Sequence, residues 1–251
     1  MSGHSKWSTI KRQKGVTDAK RGALFTKVAR EISVAARQGG GDPDANYRLR
    51  LAVEKARSVN MPSDNIKRTI DKAVGGGESE QYEEIVYEGY GPGGVAVLVE
   101  AATDNRNRTA AEVRSMFTKA GGQLAGSGAV AWQFEPRGLI AIARDAGVDV
   151  DEVALAAIDA GAEDVDTDGD ETIDIYTAPS ELEQVRVALE SAGVPVDSAE
   201  NTMVAKQTVE LDSNKARQAL RLVEMLEDLE DVQRVTANFY IPEDVFAEVA
   251  G

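Results

Sequence analysis

Gly75-Gly76-Gly77 separates two parts of this chain that differ in both hydrophobic period and charge, and that division limits the folds open to it. Ahead of the glycines, apolar residues recur three and four apart, as on one face of a helix. Behind them come short apolar runs of strand length broken by turn residues. Residues 1–75 carry 16 Lys/Arg against 7 Asp/Glu, a balance of +9, and residues 76–251 carry 12 against 36, a balance of −24. The net charge of −15 therefore hides a basic segment joined to an acidic one. Such asymmetry points to one part that meets a polyanion and another that avoids it. A solvated helical surface and a solubilising acidic surface are the plainer alternatives.

The basic part reads as three helices behind an arm. Residues 1–17 place Lys6, Lys11, Arg12 and Lys14 around Trp7. Over 18–38, at about 100° per residue from Lys20, the apolar residues Leu24, Phe25, Val28, Ala29, Ile32, Ala35 and Ala36 fall between roughly 40° and 180°. Lys20, Lys27, Arg30 and Arg37 fall between roughly 260° and 360°, with Val34 and Arg21 as the exceptions. Gly39-Gly40-Gly41 ends this helix. Asp42-Pro43 supplies an N-cap and a first-turn proline for a second, running to about Val59 with Leu49, Ala52, Val53 and Ala56 inward. Pro62-Ser63 opens a third, with Ile66, Ile70 and Val74 four apart.

Beyond the linker, Ile85–Tyr90 and Val95–Ala101 read as strands around a glycine-rich turn, followed by a helix near Thr109–Ala120 and a strand at Val130–Phe134. A complete βαββαβ run comes next, with strands near 139–143, 162–167, 171–177 and 195–204 and helices near 149–160 and 180–192. A strand at 207–211, a helix at 213–229 and a strand at 232–240 close the chain. Two ferredoxin-like α/β units, one inserted in the other, account for this order. The fold class is therefore α+β: a basic helical domain with its arm over 1–76, an outer α/β domain over 77–136 plus 205–251, and an inserted one over 137–204. Arg137-Gly138 and Ala205-Lys206 would be the crossings. Three domains in succession is the competing order, but the last βαβ alone is too small to cover its own sheet.

Several chemistries are disfavoured. The chain has no cysteine, so thiolate nucleophiles, disulfides and cysteine zinc sites are excluded. His4 is the one histidine, which argues against a histidine-rich metal site or a Ser-His-Asp triad. No secretory leader and no apolar run long enough to span a bilayer is evident, so a cytoplasmic location is expected. Gly89-Tyr90-Gly91-Pro92-Gly93-Gly94 satisfies G-x-G-x-x-G but precedes a strand rather than opening a helix, so it reads as a hairpin turn. Asp164-x-Asp166-x-Asp168-Gly169 resembles the start of a calcium loop, yet its twelfth position is Ile175, and an Asp-Gly turn is the better account. Thr103–Thr109 sets Arg106 and Arg108 at a helix start, where they could meet phosphate or simply cap the helix and pair with carboxylates.

The residues also resemble a known family. Gly3-His4-Ser5-Lys6-Trp7, Asp18-Ala19-Lys20-Arg21-Gly22, Phe25-Thr26-Lys27, Met61-Pro62 with Asp64-Asn65-Ile66, Tyr87–Gly94, Asp104–Thr109, Asp231-Val232-Gln233 and Ala237-Asn238 are similar, in order, to motifs of the YebC/PmpR family. Tyr47 stands where that family's proline is expected, and Gln13 interrupts a usually more basic stretch. The resemblance implies three domains, a cytoplasmic location and no enzymatic activity. It also implies a role in gene regulation, on DNA for some members and in translation on the ribosome for others, including the mitochondrial translational activator of cytochrome oxidase.

The expectation is a non-enzymatic, nucleic-acid-binding regulator without cofactor or metal, monomeric, with DNA, RNA or the ribosome as partner. Lys6, Trp7, Lys11, Arg12, Lys14, Lys20, Arg21, Lys27, Arg30, Arg37, Arg106 and Arg108 are its candidate contacts. Lysine and arginine neutralise phosphates and release counterions, while an aromatic side chain can stack on a base. A protein–protein adaptor acting through the acidic units is the alternative, and a carboxylate-based two-metal hydrolase a more distant one.

Overall fold

The computed structural model describes residues 18–75, 81–169, 172–241 and 245, with side chains from residue 22 onward. The basic part is three helices: α1 (Asp18–Gly39), α2 (Tyr47–Ser58) and α3 (Ser63–Val74). Val28, Ile32, Ala35 and Ala36 of α1 pack on Leu49, Ala52, Val53 and Ala56 of α2 and on Ile66 and Ala73 of α3. The second helix starts later than the Asp42-Pro43 signal predicts. The carbonyl of Asp42 accepts from the amides of Ala45 and Asn46, closing one separate turn. Asn46 is the cap instead: its Oδ1 accepts from Leu49 N at 3.1 Å, while its Nδ2 donates to the carbonyls of Ala35 and Gly40, each at 2.8 Å. One buried amide thus begins α2 and satisfies the C-terminal end of α1.

The acidic part holds two antiparallel four-stranded sheets. The first is built from β1 (Glu83–Tyr90), β2 (Ala96–Thr103), β3 (Gln123–Leu124) and β9 (Val232–Ala237), in the order β3-β1-β2-β9. Helices α4 (Arg106–Lys119) and α7 (Ser213–Glu227) cover one face. Val97 and Val99, Val113 and Phe117, Leu222, Val223 and Leu226, and Val232 and Val235 form its core. The short β8 (Val209–Glu210) pairs with β10 (Phe239–Tyr240).

The second sheet orders β5 (Asp164–Asp166), β6 (Thr172–Thr177), β4 (Phe134–Ala143) and β7 (Ser198–Ala205) as β5-β6-β4-β7. Helices α5 (Val150–Ala160) and α6 (Leu182–Ser191) pack on it through Val153, Ala157, Leu182, Val185 and Leu189. In order of occurrence this unit's strands are arranged 4-1-3-2, the ferredoxin-like arrangement that the βαββαβ run predicts. The first sheet takes strands from before and after residues 134–205, so the chain leaves one sheet, completes the other and returns.

Three details differ from the sequence reading. Val130–Phe134 is not a strand of the first sheet: Ala131–Gln133 is a 3-10 turn, and the third strand there is Gln123–Leu124. The outer unit is therefore a two-helix antiparallel layer with the β1–β2 hairpin at its centre, a different strand order from the inserted unit. Arg137-Gly138 is not a crossing either. Both residues lie inside β4, opposite Thr202 and Asn201 of β7. The chain crosses at the bottom of that ladder, where Phe134 pairs with Ala205 and Lys206 N donates to Gln133 O at 2.9 Å.

Two glycines of Gly89–Gly94 have packing or turn roles. A Cβ on Gly89 would come within 2.5 Å of the Phe117 ring, so the bare strand lets that ring lie against it. Gly93 has φ +77°, a left-handed value that glycine tolerates. The motif is a hairpin connection between β1 and β2.

Candidate nucleic-acid interface

Lys6, Trp7, Lys11, Arg12 and Lys14 lie outside the described residues. Lys20 and Arg21 occupy the first turn of α1, with their side chains also outside the described set. The other candidates are described, and they divide sharply.

The side of α1 that carries Lys27 and Arg30 turns toward the acidic part of the chain. Arg30 is 7% exposed. Its Nη1 donates to Glu230 O at 2.6 Å and to Asp231 Oδ1 at 2.7 Å, and its Nη2 donates to Glu230 Oε1 at 2.7 Å. Its guanidinium carbon lies 5.3 Å from the centre of the Tyr82 ring. The Lys27 ammonium donates to the carbonyl of Glu227, the last residue of α7. Val34, the apolar exception in the cationic arc, is buried on this same side.

Asp231 meets a second candidate. Arg108 Nη2 donates to Asp231 Oδ2 and to Asp104 Oδ1, each at 2.7 Å. Thr109 and Thr103 donate to the same Oδ2 at 2.6 and 3.1 Å. Asn105 caps α4 by accepting from Arg108 N at 3.1 Å. Burial works to raise the Asp231 pKa, but the bonds from Thr109 and Arg108, the charge of Arg30 and the bond from Thr103 outweigh it and hold the carboxyl below its ordinary range. The same carboxylates push Arg108 up, chiefly through the Asp231 bond. The Thr103–Thr109 segment thus follows its capping and ion-pair reading. Arg106 alone of its two arginines stays open, 66% exposed by side chain and 3.6 Å from Glu83.

Arg37 faces elsewhere. With Thr26, Ala29, Ser33, Thr69, Lys72, Ala73, Arg30 and Tyr82 it lines a hollow of about 250 Å³ between α1 and α3. A second hollow of about 340 Å³ shares Thr26, Ala29 and Thr69 and adds Phe25, Met61, Asn65 and Arg68. Together they form one groove along the two helices. Its floor is small because alanine, serine and threonine occupy the facing positions, and its rim carries Arg37, Arg68 and Lys72. Asn65, Arg68, Thr69 and Lys72 are spaced 0, 3, 4 and 7 along α3, so they share a face that flanks the buried Ile66 and Ala73.

Arg68 and Lys72 are exposed, and the sequence reading of α3 passed over them. The polar stripe on that helix was the available signal. The groove can receive a chain of phosphates: guanidinium and ammonium groups on the rim, hydroxyls between them. Among the described residues no group of three or more His, Asp or Glu is placed to hold a metal ion.

The sequence matches the family described as the TACO1/YebC N-terminal domain over residues 5–76, and its second and third domain over residues 82–239. The chain belongs to the TACO1/YebC family. Relatives named "Probable transcriptional regulatory protein" include one from Rubrobacter xylanophilus, 57% identical with all of both chains covered. Another, from Trichlorobacter lovleyi, is 56% identical over 97% of this chain and 98% of its own. The crystal structure of a conserved hypothetical protein from Aquifex aeolicus is 51% identical, with a TM-score of 0.85 over 90% of this chain and 93% of that one. TACO1/YebC membership accounts for the Tyr87–Gly94 and Asp104–Thr109 motifs, which here act as a hairpin turn and as a helix cap with its ion pairs. Among the described residues, no helix is long and apolar enough to cross a membrane.

Proposed function

We propose that this TACO1/YebC chain is a non-enzymatic regulator that binds nucleic acid along the α1–α3 groove, with the basic arm extending the contact. The observation that carries this reading is the convergence of Arg37, Arg68 and Lys72 on one groove within the +9 segment. The net charge of −24 on the remainder biases a polyanion toward that end of the molecule. Phosphate contacts carry no sequence information, so duplex DNA, structured RNA and ribosomal RNA are equal partners on this argument.

The test is binding of the full chain to duplex DNA, structured RNA and ribosomes over a salt series. Affinity should fall steeply with salt, and Arg68→Glu with Lys72→Glu should weaken binding and flatten the slope by about two phosphate contacts. Binding that ignores both salt and the substitutions would refute the reading.

A second reading, a protein adaptor, draws on Leu155 and Ile158. These stand 62% and 59% exposed, three residues apart on α5 beside Asp151 and Asp159. Partners that survive nuclease treatment in a pull-down and are lost with Leu155→Asp would favour it.

A further inference from the structure

We infer that the end of the outer unit farthest from α1 carries a stacking platform for the bases of a single-stranded nucleic acid, formed by Trp132 and Tyr90 with Lys206 beside them. The inference takes its class of partner from the proposed function but rests on different residues. In the β1–β2 register, Glu83 opposite Thr103 marks the end that meets α1, and Tyr90 opposite Ala96 marks the other.

At that other end Trp132 is 68% exposed. Its Nε1 donates to Ala129 O at 3.1 Å, and the Tyr90 hydroxyl donates to the same carbonyl at 2.9 Å. Both polar handles are satisfied internally, so what each ring offers outward is its aromatic surface. The carbonyl they share belongs to a segment fixed from below. Glu88, 5% exposed, accepts the amides of Gly128, Val130 and Ala131 at 2.6, 2.7 and 2.8 Å. Placing a carboxylate in a nearly closed site is costly unless its bonds are complete. Here they are spent on holding a surface turn whose outward feature is an aromatic pair.

The local charge departs from that of the acidic part around it. The Lys206 ammonium donates to Trp132 O at 3.1 Å, which sets a cation on the backbone of the exposed indole. Lys119 ends α4 on the same side, where the following Gly122 packs against Tyr90 O, while the stem of Lys215 lies against Gly93 with its ammonium 3.7 Å from Asp212. Aromatic faces beside ammonium groups fit a ligand that joins a flat π surface to an anion, the composition of a nucleotide. A duplex keeps its base faces stacked and closed, and an unpaired strand presents them.

Trp7 and Trp132 are the chain's two tryptophans, so in a Trp7→Phe variant the emission reports Trp132 alone. Titration with an oligouridylate or oligothymidylate of about 12 nucleotides should quench that emission saturably, and inorganic polyphosphate and duplex DNA should leave it unchanged. Trp132→Ala, at an exposed position, should fold normally and lose about tenfold in affinity for the same oligonucleotide. Absence of quenching, equal quenching by polyphosphate or duplex, or unchanged affinity in Trp132→Ala would overturn the platform. Failure of the two sites is separable. Quenching that persists while Arg68→Glu and Lys72→Glu bind as wild type would keep the platform and reject the groove, and the reverse pattern would do the opposite.

Discussion

Arg30 of α1 and Asp231, one residue before β9, form an ion pair at 2.7 Å that joins the basic and acidic parts of the chain, with 8% and 2% of their side chains exposed. Asp231 also carries Arg108, so one carboxylate compensates two guanidinium groups from different elements. Removing the charge leaves the buried Arg30 with the largely exposed Glu230 as its one remaining carboxylate among the described contacts, and Asp231→Asn should cost about 3 kcal/mol in a denaturant melt. The pH dependence has a definite sign. A carboxyl whose folded pKa is depressed contributes stability that is complete above the unfolded value, near 3.9, and lost as pH falls through the folded one. The wild type should therefore lose this increment below about pH 4, and the Asp231→Asn curve should be flatter there. Parallel acid limbs for the two proteins would reject the assignment.

The same geometry separates stability from binding among the cations. Arg30→Met should lower stability by about 2–3 kcal/mol, since it leaves Asp231 short of a partner, and should weaken binding less than loss of a rim cation, because the guanidinium that borders the groove is committed to Glu230 and Asp231. Arg68→Ala and Lys72→Ala, on the exposed rim, should do the reverse, with stability within about 0.5 kcal/mol and weaker binding. A melt and a filter-binding series on each variant decide it. An affinity loss in Arg30→Met as large as that in Arg68→Ala, at temperatures where it is fully folded, would make its guanidinium a phosphate contact in its own right.

Tyr47 is the first residue of α2, where proline would also fit the backbone. Its ring packs against the core of the inserted unit with Leu51, and its hydroxyl is buried without a partner. Burial pushes its pKa up to about 12, with Glu183 adding to the shift. A raised folded pKa gives stability that is full below the unfolded value of about 10 and declines as pH rises through about 12. Tyr47→Phe removes an unsatisfied hydroxyl, so it should hold or raise the melting temperature at neutral pH and remove this alkaline loss. A fall in melting temperature at pH 7 would mean that the hydroxyl has a partner.

Much of this architecture could be read from local patterns, because helix and strand periods register which face is buried. The three N-terminal helices and the βαββαβ run of the inserted unit follow from spacing alone. What spacing could not register was where the faces point. Arg30 and Lys27 lie on a cationic arc that looks solvated on a helical projection, yet the arc turns onto the end of α7, some 200 residues later in the chain. Val34, which broke the pattern, was the sign of it. The break in the last strand is of the same kind. Asn238 is 2% exposed, and its Oδ1 takes the amide of Ala96 at 2.7 Å while its Nδ2 reaches Gln133 Oε1 at 3.0 Å. Such a suture between distant segments interrupts a run that reads as one strand. The groove was missed for a simpler reason: its cations are divided between α1 and α3, so neither helix alone carries a dense basic cluster.

Glu88 gives the most local of these tests. Burial would raise its pKa, but the three amides of Gly128, Val130 and Ala131 together hold the carboxyl below its ordinary range. Glu88→Gln preserves shape and one acceptor oxygen, yet it turns an NH2 group toward amides that had a carboxylate oxygen. The cost should be about 1–3 kcal/mol, confined largely to the turn rather than to the sheet beneath it. Hydrogen exchange should quicken at those three amides in the variant and stay slow at Val97 and Val99 in the core strand. In the wild type the same amides should open as pH falls below about 4, because the carboxylate's contribution is complete above its unfolded value of about 4.3 and is lost on protonation. If Trp132 depends on this turn for its display, its emission should broaden in Glu88→Gln under conditions where the circular dichroism of the sheet is unchanged. Uniform acceleration of exchange across both turn and sheet would show instead that Glu88 supports the whole unit.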